Sequence, residues 1–180
     1  MTYPTEGKFM KTVLSLAAAS LAFASPSAVL AQEEEMEEVV VTSDMEFPDD
    51  AVWMHSFDAY ESEAGKPNGA FRRALSFIRA MEAEGVDPER VKVAIVVHGP
   101  AVFDVVNDAR YGEKYEGETN QAYNNIAQLI GYGAEIWVCG VAAKYHGVGN
   151  AHLLDGVRMA PSGTVAHAEL QRRGFGLNAY

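Results

Sequence analysis

At three points in this sequence, chemically capable side chains or unhindered backbone directly follow an apolar run: His98-Gly99-Pro100, Cys139-Gly140 and Pro161-Ser162-Gly163. Cys139 is the only cysteine, so neither an intramolecular disulfide nor a zinc site of several thiolates can form. A lone thiol ahead of a helix that begins near Val141, with a histidine on the same rim, has the makings of a nucleophile. Unpaired backbone N–H groups at the helix start and a neighbouring imidazole both favour the thiolate. A cysteine that closes a buried strand is as often a small core hydrophobe. Residue type alone leaves these two readings even.

The remaining histidines offer less. His146 and His152 flank a glycine-rich turn (HGVGNAH), His167 reads as a surface or helix-packing residue, and His55 as a core histidine. The sequence contains no HExxH, no P-loop, no GxGxxG and no GxSxG. Metalloprotease, nucleotide and α/β-hydrolase chemistry therefore lack their usual support. Neither a metal nor a cofactor is expected.

What must position these residues is an alternation of strands and helices. Val52–Phe57 reads as a short apolar strand. Phe71, Leu75 and Ile78 fall at i, i+4 and i+7, with Pro67 near the start and Gly85 just past the end, which predicts a helix over 67–84. Val91–Val97 (VKVAIVV) is dense in β-branched residues, as a buried parallel strand should be. Residues 101–109 read as a short helix running into a polar, tyrosine-bearing loop, Tyr111–Glu118. Thr119 is placed to cap a helix whose Ala122, Ile126 and Leu129 share one face. Glu135–Val138 and Val157–Ala160 read as strands, 163–173 as a helix, and Phe175–Asn178 as a closing strand.

The expected fold is α/β: three layers, with a mainly parallel sheet of about five strands and helices on both faces. In such a sheet ligands bind beyond the carboxyl ends of the strands. His98 and Cys139, each one step past an apolar strand, are therefore expected on one rim.

Composition narrows the classes. Of 180 residues 48% are hydrophobic, enough for one sizeable core. With 25 acidic against 14 basic residues the net charge is −11, which argues against binding nucleic acid or an anionic membrane surface. Residues 1–31 have the three parts of a secretory signal peptide: Lys8 and Lys11, the apolar run Val13–Phe23, and Val29-Leu30-Ala31 before Gln32. The expected division is a signal peptide at 1–31, an acidic linker at 32–50 containing EEEMEE, and a domain at 51–180. The mature chain is then expected in the periplasm, off the membrane after cleavage.

Taken together, VKVAIVVHGPAV, TNQAYNNIAQLIGYGAEIWVCG, AAKYHGVGNAHLLDGVRMAPSG and AELQRRGFGLNAY resemble the DsrE/DsrF-like family of small sulfur-relay proteins over about residues 51–180. The resemblance implies a parallel α/β fold, oligomers of this chain, and a persulfide-bearing cysteine at the position Cys139 occupies. Cys139 is then the expected sulfur carrier and His98 the residue that tunes it. Gly99, Asn120, Gly140 and Ser162 are the expected contacts to a small ligand. The implied partners are a sulfur donor or acceptor protein, or a small anionic sulfur compound. The alternative is a non-catalytic ligand-binding or assembly module of the same fold, in which the cysteine is inert.

Overall fold

Apolar strands without alternating polarity can be buried only if both faces of their sheet are covered, and helices supply that cover here. The computed structural model describes residues 40–178. The segments read as signal peptide and as the EEEMEE run lie outside the described residues. The chain divides into two units, residues 1–43 and 44–180, and the account below concerns the second.

Five strands, β1 (Trp53–Ala59), β2 (Val91–Val97), β3 (Glu135–Cys139), β4 (Val157–Ala160) and β5 (Gly176–Asn178), form one sheet in the order β4-β3-β2-β1-β5. Every pairing is parallel, with Ser56 beside Ala94, Val97 beside Val138 and Cys139 beside Ala160. From β1 to β4 the chain steps steadily one way; it then returns past β1 to place β5. Crossovers are right-handed, so this reversal sends the last helix to the opposite face.

That is the observed arrangement. Helices α1 (Gly69–Ala83), α2 (Asp108–Lys114), α3 (Tyr123–Gly131) and α4 (Gly140–Tyr145) pack on one side, where Phe71, Ile95, Val97, Ile126 and Ile136 form the larger core. Among the described residues, helix α5 (Gly163–Arg172) lies alone on the other, over Ala94, Val96 and Ala160, with Ala166, Leu170 and Phe175 facing them. The three-layer α/β expectation is met.

Three local expectations are not. The stretch read as a helix at 101–109 is a 3-10 run, Gly99–Val105, that ends where Val106 bridges Leu153. Val102, Phe103, Val105 and Val106 are all buried, so no amphipathic period exists to build an α-helix there. Of the segment Tyr111–Glu118, read as a polar loop, the first half, Tyr111–Lys114, lies within α2, and the loop begins at Tyr115. Asn107 caps that helix, and the Tyr111 ring is buried with its hydroxyl accepting from Gly65 N. Nor does Thr119 cap α3; the adjacent Asn120 turns the chain, accepting from Ala122 N at 2.9 Å. Among the described residues no helix is long and apolar enough to cross a membrane.

Candidate functional site

Alternation decides which strand-end side chains meet. Odd-numbered Phe57, Ile95 and Val97 turn toward α1 and α3, so Asp58, Val96 and His98 turn toward α5. Register does the rest. Val97 pairs with Val138, which puts His98 next to Cys139 on neighbouring strands, about 4.8 Å apart along the backbone. His98 N donates to Ala59 O at 2.9 Å, carrying the β1–β2 pairing to this point. Gly163 opens α5 directly above. A methyl group on it would stand 3.6 Å from Cys139 Cβ and 3.7 Å from His98 Cβ.

These residues line a cavity of about 480 Å3 with Asp58, Val141, Ser162, Thr164, His167 and Leu177. Cys139 forms part of its wall and is only 8% exposed. The thiol is the N-cap of α4, and Sγ accepts from Ala142 N at 3.4 Å. Asp58 accepts from His98 Nε2 at 2.8 and 2.9 Å, one bond to each carboxylate oxygen, and from His167 Nε2 at 2.9 Å. The His98 ring also lies against the exposed Tyr60 ring, 5.1 Å between centroids.

The expected site residues separate into three groups. His98, Cys139 and Ser162 converge on the cavity. Ser162 also caps α5, its hydroxyl accepting from Val165 N at 3.1 Å. Gly99 and Gly140 serve the backbone. Gly99 has φ +54°, and a side chain there would overlap the Tyr60 ring. A Cβ on Gly140 would sit 2.6 Å from Ala160 O and 3.1 Å from Pro161 O, so only glycine lets the β3–α4 and β4–α5 junctions approach.

Asn120 is a correction. It is buried away from the cavity lining, its amide donating to Asp104 O and Val106 O at 2.9 and 2.7 Å. Its side-chain carbonyl accepts from Ala122 N, so both ends of the amide are engaged in holding a loop.

Sequence reading passed over Asp58 and gave His167 a surface or packing role. Asp58 sits one residue past the expected end of the first strand, so the strand-end rule that selected His98 and Cys139 also pointed to it. His167 lies four residues after Gly163, one turn along the helix face that meets the sheet. His55, read as a core histidine, is half-buried against Phe57 and Phe77; burial pushes its imidazole below the usual range.

A second polar cluster supports the rim from behind. Asp104 is buried and accepts from Ser62 Oγ at 2.6 Å and Asn68 Nδ2 at 2.8 Å, with Tyr115 Oη 2.9 Å from Ser62. Burial pushes its carboxyl up to about 6, against the pull of those two hydrogen bonds. Burial likewise raises the Tyr111 hydroxyl. The cluster ties the loop after β1 to the 3-10 run that follows His98.

A model of the DsrE/DsrF-like family matches residues 59–177. A solved protein of unknown function from Methanobacterium thermoautotrophicum is similar at 19% identity and TM-score 0.51, covering 71% of this chain and 99% of its own. The ychN protein from E. coli is similar at 15% identity and TM-score 0.49, covering 72% of this chain and 100% of its own. At 19% identity the likeness to the Methanobacterium thermoautotrophicum protein is one of fold. Among curated proteins none matches the sequence.

Proposed function

The chain belongs to the DsrE/DsrF-like family, and from that premise we propose that it carries sulfane sulfur as a persulfide on Cys139. The observation that supports this reading is that the single cysteine, whose sulfur accepts from Ala142 N, shares one cavity wall with an imidazole from the end of the adjacent strand. A thiolate or persulfide anion there has Ala142 N–H as a donor and His98 as a source of positive charge. Exchange proceeds by attack of thiolate on sulfur, without a cofactor.

The test uses full chain and Cys139→Ser exposed to polysulfide, with intact mass measured before and after a thiol-specific alkylator. The expected result is one added sulfur atom, removable by reductant, in the wild type alone. An equal sulfur load on Cys139→Ser overturns the proposal.

The same reading has residues 1–31 removed on export and the mature chain in the periplasm as an oligomer of itself. N-terminal sequencing of the periplasmic fraction should begin at Gln32, and light scattering of that material should exceed the monomer mass. A second reading draws on the cavity's volume, about 480 Å3, which far exceeds one sulfur atom. A small-metabolite binding module would fill that space, and its ligand binding would survive Cys139→Ser.

A further inference from the structure

Among the described residues, no lysine or arginine lines the Cys139 cavity. The titratable groups facing it are Asp58 from β1, His98 from the end of β2, Cys139 from β3 and His167 from α5; Val141 of α4 and Leu177 of β5 carry no charge. Among the described residues that line the cavity, the counter-charge to a sulfur anion is therefore an imidazolium. A carboxylate can only accept, so both rings that contact Asp58 must carry their proton on Nε2.

His98 Nδ1 then remains, with no hydrogen bond among the described residues, on the ring beside Cys139. His167 Nδ1 is buried and has no hydrogen-bond partner among the described residues. An apolar residue would fill that space without an unmet lone pair; what the imidazole adds is the bond to Asp58 Oδ1.

We propose that Asp58 and His167 are positioning residues for the thiol chemistry: the carboxylate, gripped from the sheet side by His98 and from the helix side by His167, holds His98 with Nδ1 as the base for Cys139. This rests on the reading of Cys139 as the reactive thiol. In loading, the Cys139 S–H bond gives its proton to His98 Nδ1, and the thiolate attacks the terminal sulfur of a donor RS–SH. The new Sγ–S bond forms as the donor S–S bond breaks. The electron pair leaves on RS⁻, which takes the proton from the imidazolium. The sum is Cys–SH + RS–SH → Cys–S–SH + RSH, with no external oxidant or reductant.

Two measurements on the full chain test it. Imidazole 15N shifts of the wild type should show a proton on Nε2 of both His98 and His167; the Nδ1–H tautomer in either ring overturns the proposal. The pH profile of Cys139 alkylation by iodoacetamide is then compared with sulfur loading in Asp58→Asn, His167→Gln and His167→Leu, each checked for fold by circular dichroism. Asp58→Asn should lower both rates at neutral pH about ten-fold and displace the alkylation profile. His167→Gln, whose amide can donate to Oδ1, should keep the wild-type profile, while His167→Leu should change it as Asp58→Asn does. Folded Asp58→Asn and His167→Leu proteins with wild-type profiles overturn the proposal. Where a variant fails to fold, the tautomers decide. A wild type that takes no sulfur, yet whose alkylation profile depends on Asp58, sinks the carrier reading and leaves the positioning role standing.

Discussion

The thiol of Cys139 has two tasks, since the sulfur proposed to react also caps α4 through Ala142 N–H. Serine is a good N-cap, and its oxygen can accept the same bond. Cys139→Ser should therefore unfold in urea within about 1 kcal/mol of wild type, so that any lost sulfur binding reports chemistry and not collapse. Gly140 behaves differently. A methyl group there meets backbone oxygens of Ala160 and Pro161, which cannot rotate aside. Gly140→Ala should lose on the order of 2–3 kcal/mol in the same unfolding assay and loosen the cavity wall. In the sequence this glycine had the look of a ligand contact. Its actual constraint comes from a strand end twenty residues later, which no local pattern contains.

At the scale of elements, α5 is the piece on which the site depends. It brings Ser162, Gly163 and His167 over the ends of β1, β2 and β3, and its far end is pinned by Arg173, which pairs with Glu135 of β3. That guanidinium holds the Glu135 carboxyl below its ordinary range. Removing the cap with Ser162→Ala should lower stability by about 1 kcal/mol, read from the urea midpoint at unchanged slope. The strands were legible in the sequence as short apolar, often β-branched runs, and the helices over 67–84 and 119–131 by apolar residues at helix spacing. The segment between β2 and α3 was not. Val102, Phe103, Val105, Val106 and Tyr111 are buried on all sides by α4, the 150s loop and the loop after β1, so their spacing has no single face to report.

For the molecule as a whole, the buried carboxyl of Asp104 sets a pH dependence. Its folded value, about 6, lies above the unfolded 3.8, so its contribution to stability is complete below about 4 and is lost as pH rises through 6. An asparagine amide in its place would donate to Ser62 and accept from Asn68 as the protonated acid does. The Asp104→Asn variant should therefore gain on the wild type between pH 4 and 7 by on the order of 3 kcal/mol; parallel stability curves across that range would refute this. Sequence by itself determined the alternation of strands and helices, the acidic charge, and the rim shared by His98 and Cys139, because periodicity and strand ends are local properties. The tertiary structure alone decided that Asp58 bridges two imidazoles, that Asn120 belongs to a loop, and that Gly140 permits a close approach. The first and last depend on register between strands and on the crossover of α5, which join residues distant in the chain; the second depends on a loop that folds back onto the 3-10 run after His98.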